Sequence, residues 1–225
     1  MNVIILIGTS IVLAGGLWSL YSLVTGTAAI GMWVTAHECG HGAFSDNRKL
    51  QDAVGYVFHS LLLVPYYSWQ RSHAIHHANT NHILDGETHV PPLAAAEGAG
   101  PSPDRRLKKI LTTVSGNTIG TFLYGSLQLL LHLGVGWPAY ILFGATGGPS
   151  RGITNHFIPF NMRKPFSQSK EKLKELFPAG QKLRVWLSDI GVAAVLGGLY
   201  LLSQRWGGAA VAAAYGGPLL VVNAW

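Results

Sequence analysis

The first 36 residues carry no Asp, Glu, Lys or Arg, and Glu38 is the first ionised side chain. About 20 apolar residues are enough to span a bilayer as a helix, so this run exceeds one ordinary span. Further charge-free windows cover residues 53–70, 110–150, 190–204 and 206–225. A chain of 225 residues cannot bury all of these windows inside a water-soluble core, and the sequence therefore predicts an integral membrane protein.

Composition supports this class and excludes others. Hydrophobic residues make up 48% of the chain and charged residues only 12%, about half the charged fraction of a soluble protein. The single cysteine, Cys39, excludes an internal disulfide. The net charge is +6, but Lys and Arg fall in blocks between apolar runs and not on one continuous face, so no nucleic-acid partner is predicted.

The basic blocks predict the topology. Residues 37–109 contain seven Lys or Arg and residues 151–184 contain eight, which places both segments on the cytoplasmic side by the positive-inside rule. The apolar window between them should then cross the membrane an even number of times. Gly134, Gly136 and Pro138 interrupt this window, and we expect it to be broken and not one straight crossing helix.

The predicted fold is an all-α integral membrane protein with about four to six membrane-embedded helical segments and a cytoplasmic histidine-rich region that binds metal. The chain, 1–225, is predicted to be a single domain. An N-terminal hairpin is expected over 3–36, with one long tilted helix as the alternative. The remaining parts are a cytoplasmic histidine region (37–109), a broken membrane segment (110–150), a cytoplasmic loop (151–184) and a C-terminal hairpin (185–225).

Two histidine clusters carry the predicted chemistry. Residues 37–41 read HECGH and residues 73–77 read HAIHH. Histidines at i, i+3 and i+4 face the same way on a helix, and neutral imidazole is a good ligand for iron, zinc or copper. The predicted metal ligands are therefore His37, His41, His73, His76 and His77, and we expect them to converge in one cluster.

The other five histidines are interpreted differently. His59 and His132 lie in apolar sequence and are predicted to pack in a core, whereas His82 and His89 lie in a polar, turn-rich segment and are most simply exposed. His156 could approach the metal from the next cytoplasmic loop. His82 and His156 are thus retained as additional candidate ligands.

The residues resemble those of a known family. Residues 37–46 (HECGHGAFSD), 59–66 (HSLLLVPY), 72–77 (SHAIHH) and 89–91 (HVP) are similar to the membrane fatty acid desaturases, specifically the delta-12 (oleate) group. Weaker agreement continues at 136–138, 155–157, 187–189 and 217–225. The resemblance covers nearly the whole chain.

The resemblance implies an oxygen-dependent enzyme with two iron ions that inserts a cis double bond into an acyl chain. It also implies a phospholipid-linked or CoA-linked substrate, a b-type cytochrome or ferredoxin as external electron donor, and the endoplasmic reticulum, with a plastid membrane as the alternative. Glu38 favours the delta-12 over the omega-3 pattern. Carboxylates behind the ligands can fix ring tautomers, and Glu38 and Asp46 are candidates for that role.

One family feature is missing from the sequence. The family carries a third box, His-x-x-His-His, and none occurs between His77 and Trp225. Five box histidines cannot complete two irons with four or five ligands each, and adding His82 and His156 gives only seven. We therefore expect a fragment that is inactive in a yeast-type host, whereas an extended chain with the third box would convert oleoyl to linoleoyl groups.

Two other functions stay open from sequence. The segment 37–41 also matches the zinc-protease motif His-Glu-x-x-His, and residues 84–86 (LDG) could mimic the aspartate motif of intramembrane metalloproteases. This alternative leaves His73, His76 and His77 unexplained. The third possibility is a non-catalytic membrane protein. Metal content discriminates the three: two irons, one zinc or none.

Overall fold

A computed structural model describes residues 2–90, 103–144, 147–162 and 172–225, with side chains from Val12 and, in the second range, from Asp104. Three of the basic residues predicted in the second cytoplasmic loop, Arg163, Lys164 and Lys170, lie outside these ranges. The helices are α1 (Asn2–His41), α2 (Arg48–Leu61), α3 (Tyr66–Ala78), α4 (Pro103–Ser115), α5 (Asn117–Phe143), α6 (Lys182–Trp206), α7 (Gly208–Val211) and α8 (Gly217–Ala224). A π turn, Ala212–Gly216, joins the last two.

The predicted all-α membrane class is confirmed for the described residues. Their only pairing of extended backbone is one isolated bridge between Ile153 and Met162. Three helical segments are long and apolar enough to cross a membrane: Val12–His41, Asn117–Phe143 and Ala179–Trp206. A shorter apolar helix covers Gly208–Ala224. The described residues thus contain four apolar helical segments, which is the lowest number in the predicted range of four to six.

The hairpin predicted over 3–36 is wrong, because one continuous helix runs from Asn2 to His41. A glycine inside a helix costs only about 1 kcal/mol, and residues 3–36 contain no Pro, Asn or Asp that would favour a turn. Around Gly15 the helix simply continues, and the Gly15 carbonyl accepts a hydrogen bond from Ser19 Oγ at 2.8 Å. The alternative of one long helix is the one observed.

Within 110–150 the helix is interrupted at Gly116, between α4 and α5, and not at the predicted positions Gly134, Gly136 and Pro138, since α5 passes through Pro138 without interruption. A proline within a helix removes one backbone hydrogen bond and costs about 3 kcal/mol. Unwinding the helix in an apolar environment would leave several backbone groups unpaired, which costs more. The helix ends instead at Gly144, whose φ of 55° suits a residue without a side chain.

The chain divides into two compact units. The first comprises residues 1–75, 155–160 and 175–225. In it α1 packs against α2 and α8, and α6 packs against α2. Glycines permit the closest approach: Gly26 faces Val221 and Pro218, and a Cβ there would lie 2.7 Å from the Pro218 carbonyl oxygen. A small core of Ile75, Leu176, Phe177 and Val185 lies beneath α3.

The second unit comprises residues 76–154 and 161–174. Its buried centre is polar: the Glu87 side chain is 0% exposed, and Arg151, Thr154 and Tyr140 are buried as well. Desolvation raises the pKa of Glu87 to about 7, although the Tyr140 and Thr154 hydroxyls and the Arg151 charge oppose the shift. Neither carboxyl oxygen meets hydrogen-bond geometry with a described group. Burial of this carboxyl therefore opposes its ionisation.

Candidate metal site

The end of α1 is fixed by a turn that leads into α2. Gly42 leaves the helix at φ +80°, and the Ala43 N–H donates to the Glu38 carbonyl at 2.9 Å. The buried Gln51 side chain accepts from the Phe44 and Ser45 N–H groups at 3.0 and 3.2 Å. Asn47 then caps α2. The last turn of α1, which carries His37 and His41, is held by these bonds.

Helix α3 begins just after Pro65 and carries the second cluster. Its first turn is tied to α6, because the Tyr67 N–H donates to Ser188 Oγ at 2.9 Å. The Trp69 N–H bonds to the Pro65 carbonyl at 2.9 Å. These contacts fix where α3 starts and therefore which way His73 faces.

Three histidine rings converge where α1 ends. His37 Nε2 and His41 Nε2 are 2.9 Å apart, and His41 Nε2 and His73 Nε2 are 3.1 Å apart. One ligand atom from each ring lies within 4.8 Å of the other two. His41 is exposed, whereas His37 and His73 are half-buried. His37 and His41, at positions i and i+4 of α1, thus lie together with one histidine of the second cluster, His73.

The geometry fits one metal ion. Imidazole nitrogens lie about 2.0–2.1 Å from a bound zinc ion, which puts neighbouring ligand atoms about 3.3 Å apart in a tetrahedral site. The observed separations of 2.9 and 3.1 Å are close to that value. Three neutral imidazoles leave one coordination position for water or substrate, and their chemistry suits iron as well as zinc.

Aromatic side chains brace two of the three rings, those of His37 and His73, and sequence reasoning missed them. Trp69 stacks on His73 with ring centroids 4.5 Å apart and an interplanar angle of 19°, and it lies 5.2 Å from the His37 ring. Trp33 contacts both Trp69 and His37. A Cβ at Gly40 would lie 2.7 Å from the Trp69 ring. Sequence spacing could have identified these tryptophans, because Trp69 and Trp33 each lie four residues before a histidine that is a candidate ligand.

His59 is a core residue, as predicted, but it is not hydrogen-bonded. The side chain is fully buried, with its ring 4.8 Å from Trp69 and 5.7 Å from Trp33. Neither ring nitrogen meets hydrogen-bond geometry with a described group. Desolvation lowers the pKa of His59 to about 3; the Trp33 backbone opposes the shift, and the charge of His37 adds to it. The ring is therefore neutral at physiological pH.

The two additional candidates are engaged elsewhere. His156 is fully buried and its Nε2 lies 2.7 Å from Ser72 Oγ. Because the Ser72 hydroxyl donates to the Trp69 carbonyl at 3.1 Å, His156 Nε2 must carry the proton in this bond. His82 Nδ1 accepts from the Asp85 N–H at 3.0 Å and closes a turn. Neither residue belongs to the described three-histidine cluster.

His76 and His77 occupy the last turn of α3 and belong to the second unit. The His76 ring lies 5.5 Å from the His77 ring and 5.8 Å from that of His89. Desolvation, followed by the charges of His89 and His77, lowers the pKa of His76, while the Thr88 backbone opposes the shift. His89, interpreted as simply exposed from sequence, thus neighbours a predicted ligand. Convergence of all five box histidines remains a prediction.

The predicted supporting carboxylates make no bond to the cluster. Glu38 and Asp46 are exposed, and neither bonds a histidine ring within the described residues. Asp85, which the protease alternative invoked as a mimic of an aspartate motif, forms an ion pair with Lys174 at 2.7 Å. The third converging side chain is His73, which that alternative left without a role.

A polar cavity of about 500 Å³ lies beside His41. Asp46 and Asp52 line it together with Arg48 and Arg184. The cavity therefore offers charges of both signs next to the three-histidine cluster.

Comparison with known proteins identifies the family of the chain. The model of the fatty acid desaturase family matches residues 14–225. A Delta(12)-fatty-acid desaturase of Arabidopsis thaliana is 38% identical over 208 residues, which cover 92% of this chain and 47% of the relative. An omega-6 fatty acid desaturase of the endoplasmic reticulum from Brassica juncea is 37% identical, with 92% and 47% covered.

An oleate hydroxylase of Claviceps purpurea is 33% identical, with 93% of this chain and 43% of the relative covered. No solved structure matches. The chain spans about half the length of the curated relatives it matches. The match to the family over residues 14–225, together with both histidine boxes, shows that the chain belongs to the fatty acid desaturase family.

Proposed function

We propose that this chain is part of an oxygen-dependent iron enzyme that introduces a cis double bond into a fatty acyl chain, at the delta-12 position. The observation that carries the proposal is the convergence of His37, His41 and His73 at the end of an apolar helix. Relatives named as delta-12 or omega-6 desaturases support the position of the double bond.

The proposed ligands of a two-iron centre are His37, His41, His73, His76 and His77. Iron together with O₂ supplies the oxidising power that removal of hydrogen from an unactivated methylene requires, and which no side chain provides. The chain's own residues orient the ligands: Trp69 fixes the plane of the His73 ring, and Ser72 anchors the adjacent backbone to His156. Glu38 and Asp46 remain proposed supporting carboxylates.

The proposed substrate is an acyl group linked to a phospholipid or to CoA. The polar cavity beside His41, with its two aspartates and two arginines, is the proposed place for the charged head group. Electrons come from a separate b-type cytochrome or ferredoxin. The proposed location is the endoplasmic reticulum, with a plastid membrane as the alternative, and the name of the Brassica juncea relative supports the former.

The test is fatty-acid profiling in a yeast-type host that makes oleate. The chain alone should give no diene, because five box histidines are too few for two iron ions. The chain fused to the remaining half of the Arabidopsis thaliana relative should give linoleate, and His73→Ala in this fusion should abolish it. His132→Ala in α5 is the matched control and should leave the product unchanged.

Two results would overturn the proposal. A fusion that binds iron but yields no diene would remove the desaturase assignment. A hydroxylated product would favour a second candidate function, oleate hydroxylation, which the match to the Claviceps purpurea relative motivates. Both functions need the same three histidines, so His73→Ala separates them from a protein that binds no metal.

A further inference from the structure

Helices α4 and α5 form an antiparallel hairpin with a defined contact face. The chain turns at Gly116, whose φ is +80°. Gln128 Nε2 donates to Asp104 Oδ1 at 2.7 Å, and Lys108 Nζ lies 5.7 Å from the centre of the Tyr124 ring. A Cβ at Gly120 would collide with the Thr112 backbone. The first three turns of α5 therefore lie directly beside α4.

Helix α4 has an apolar side and a basic side. At about 100° per residue, Leu107 and Val114 lie about a quarter to a third of a turn to one side of the contact face, and Arg105 and Lys109 lie to the other side. Ile110 and Arg106 adjoin these two sides nearly opposite the contact face. Val114 is 80% exposed and Ile110 is 58% exposed, so nothing in the described chain covers the apolar side.

The first half of α5 repeats this arrangement. Relative to Gly120, Tyr124 and Gln128, the apolar residues Ile119, Leu123 and Leu127 lie on one side, and Thr118, Thr121 and Gly125 lie on the other. Ile119 is 59% exposed and Leu123 is 42% exposed. In each helix the apolar side is reached by turning in the same direction from the contact face, counted along the sequence. Because the two helices are antiparallel and face each other, their apolar sides therefore point the same way. The hairpin therefore has one apolar face and one polar face.

This geometry conflicts with α5 crossing a bilayer over its full length. At 1.5 Å per residue, Tyr124 and Gln128 lie about 10–16 Å along the helix from Asn117. If α5 entered the bilayer at Asn117, Lys108 and Asp104, which lie beside these two residues, would be carried to that depth. Charges at that depth are costly. The rest of α5, residues 129–143, is about 22 Å long and falls short of the ~30 Å hydrocarbon layer.

We propose that α4 and residues 117–128 of α5 form a two-helix plate that lies flat in one leaflet of a membrane containing anionic lipids. The exposed apolar face enters the acyl chains, as in other interfacial helices. Arg105, Arg106 and Lys109 face head groups, whereas Lys108 lies over the Tyr124 ring, and Asp104 is the only acid of α4. Charge complementarity favours anionic lipid, since each basic residue near such a surface contributes attraction. This inference does not depend on the proposed activity.

The test uses the full chain in vesicles, with single cysteines introduced on the two faces and a membrane-impermeant maleimide as the probe. Cys39 is buried and gives the background. T121C and G125C should be labelled, whereas L123C should be protected. Residues 121 and 123 differ in depth by only about 3 Å along a helix, so a crossing α5 would make them behave alike. Equal labelling of both, or protection of G125C, would overturn the plate.

The lipid class is tested with a nitroxide on V114C. Its immersion depth should increase when phosphatidylserine is added to phosphatidylcholine vesicles. The double variant Arg106→Glu/Lys109→Glu should lose this response, and Lys49→Glu in α2 is the control that should keep it. The same depth in both vesicle types for the unmodified helix would contradict the preference for anionic lipid.

Discussion

Helices α1 and α5 have the same mean hydropathy, 1.3, over their candidate membrane spans, yet their surroundings differ. The last turns of α1 deliver two histidines to the three-histidine cluster, and α8, which packs against α1, carries no Asp, Glu, Lys or Arg. The first turns of α5 are paired with a helix that carries four basic residues. Hydropathy alone therefore does not decide how an apolar helix meets the membrane, because the charges packed beside it also count.

The histidines provide the largest expected contrast between the two helices. His41→Ala, at the end of α1, should weaken metal binding several-hundred-fold, since a structural metal site yields roughly 3–4 kcal/mol per ligand. His132→Ala, on α5, should change the affinity little. The measurement is titration of the purified chain with Co²⁺ or Fe²⁺. Equal losses in both variants would mean that α1 and α5 do not differ in metal chemistry.

The far end of α5 gives the next largest effect. Burial raises the pKa of Glu87 beside Tyr140 from 4.5 to about 7. The unfolded chain therefore loses this proton first, and stability falls as pH rises from 4.5 through 7. Glu87→Gln should remove this pH dependence. Its free energy of unfolding should exceed that of the wild type by up to about 3 kcal/mol at pH 8. Denaturant unfolding in detergent at pH 5 and pH 8 measures it, and an unchanged difference between the two pH values would be inconsistent with a buried carboxyl.

The α1 side has the opposite pH dependence. His59 beside Trp33 has its pKa lowered from 6.5 to about 3, so the unfolded chain binds a proton more readily and stability falls as pH drops below 6.5. At pH 5 the loss is about 2 kcal/mol. His59→Leu should remove it, which unfolding curves at pH 5 and 7.5 would show. His132→Leu is the control. If the pH dependence of stability persists in His59→Leu, it arises from other histidines.

The smallest expected effect lies at the contact between α4 and α5. A Cβ at Gly120 would collide with the Thr112 backbone, so Gly120→Ala should destabilise the hairpin by about 1 kcal/mol or more. Gly125→Ala, where nothing lies within 4 Å, should be neutral or slightly stabilising. Hydrogen exchange of α4 amides measures both. Similar exchange in the two variants would mean that α4 is not packed on α5.

Sequence predicted what depends on local pattern. The all-helical membrane class follows from charge-free windows, and the convergence of His37 and His41 follows from i, i+4 spacing on one helix. The contribution of His73 to the same cluster needed the fold, because α3 reaches α1 only through the turn after Leu61 and its anchor on Ser188. The ring nitrogen of His156 bonding to Ser72 across 84 residues could not be predicted from spacing.

The wrong predictions share one cause. Gly15, Gly16 and Pro138 were interpreted as breaks, as they would be in a water-exposed helix. Both helices continue through them because, where water is absent, the backbone has no alternative partners. The even number of crossings predicted from the charge counts stays a prediction.

The most direct test of the central claim, that His37, His41 and His73 bind one metal ion together, is X-ray absorption of the Fe²⁺-loaded chain. We predict imidazole scattering from nitrogen ligands at about 2.0–2.2 Å. This scattering should be lost in the variant with all three histidines changed to alanine, while the variant His59→Leu/His132→Leu retains it. An unchanged spectrum in the triple variant, or a wild-type shell of water oxygens alone, would contradict the claim.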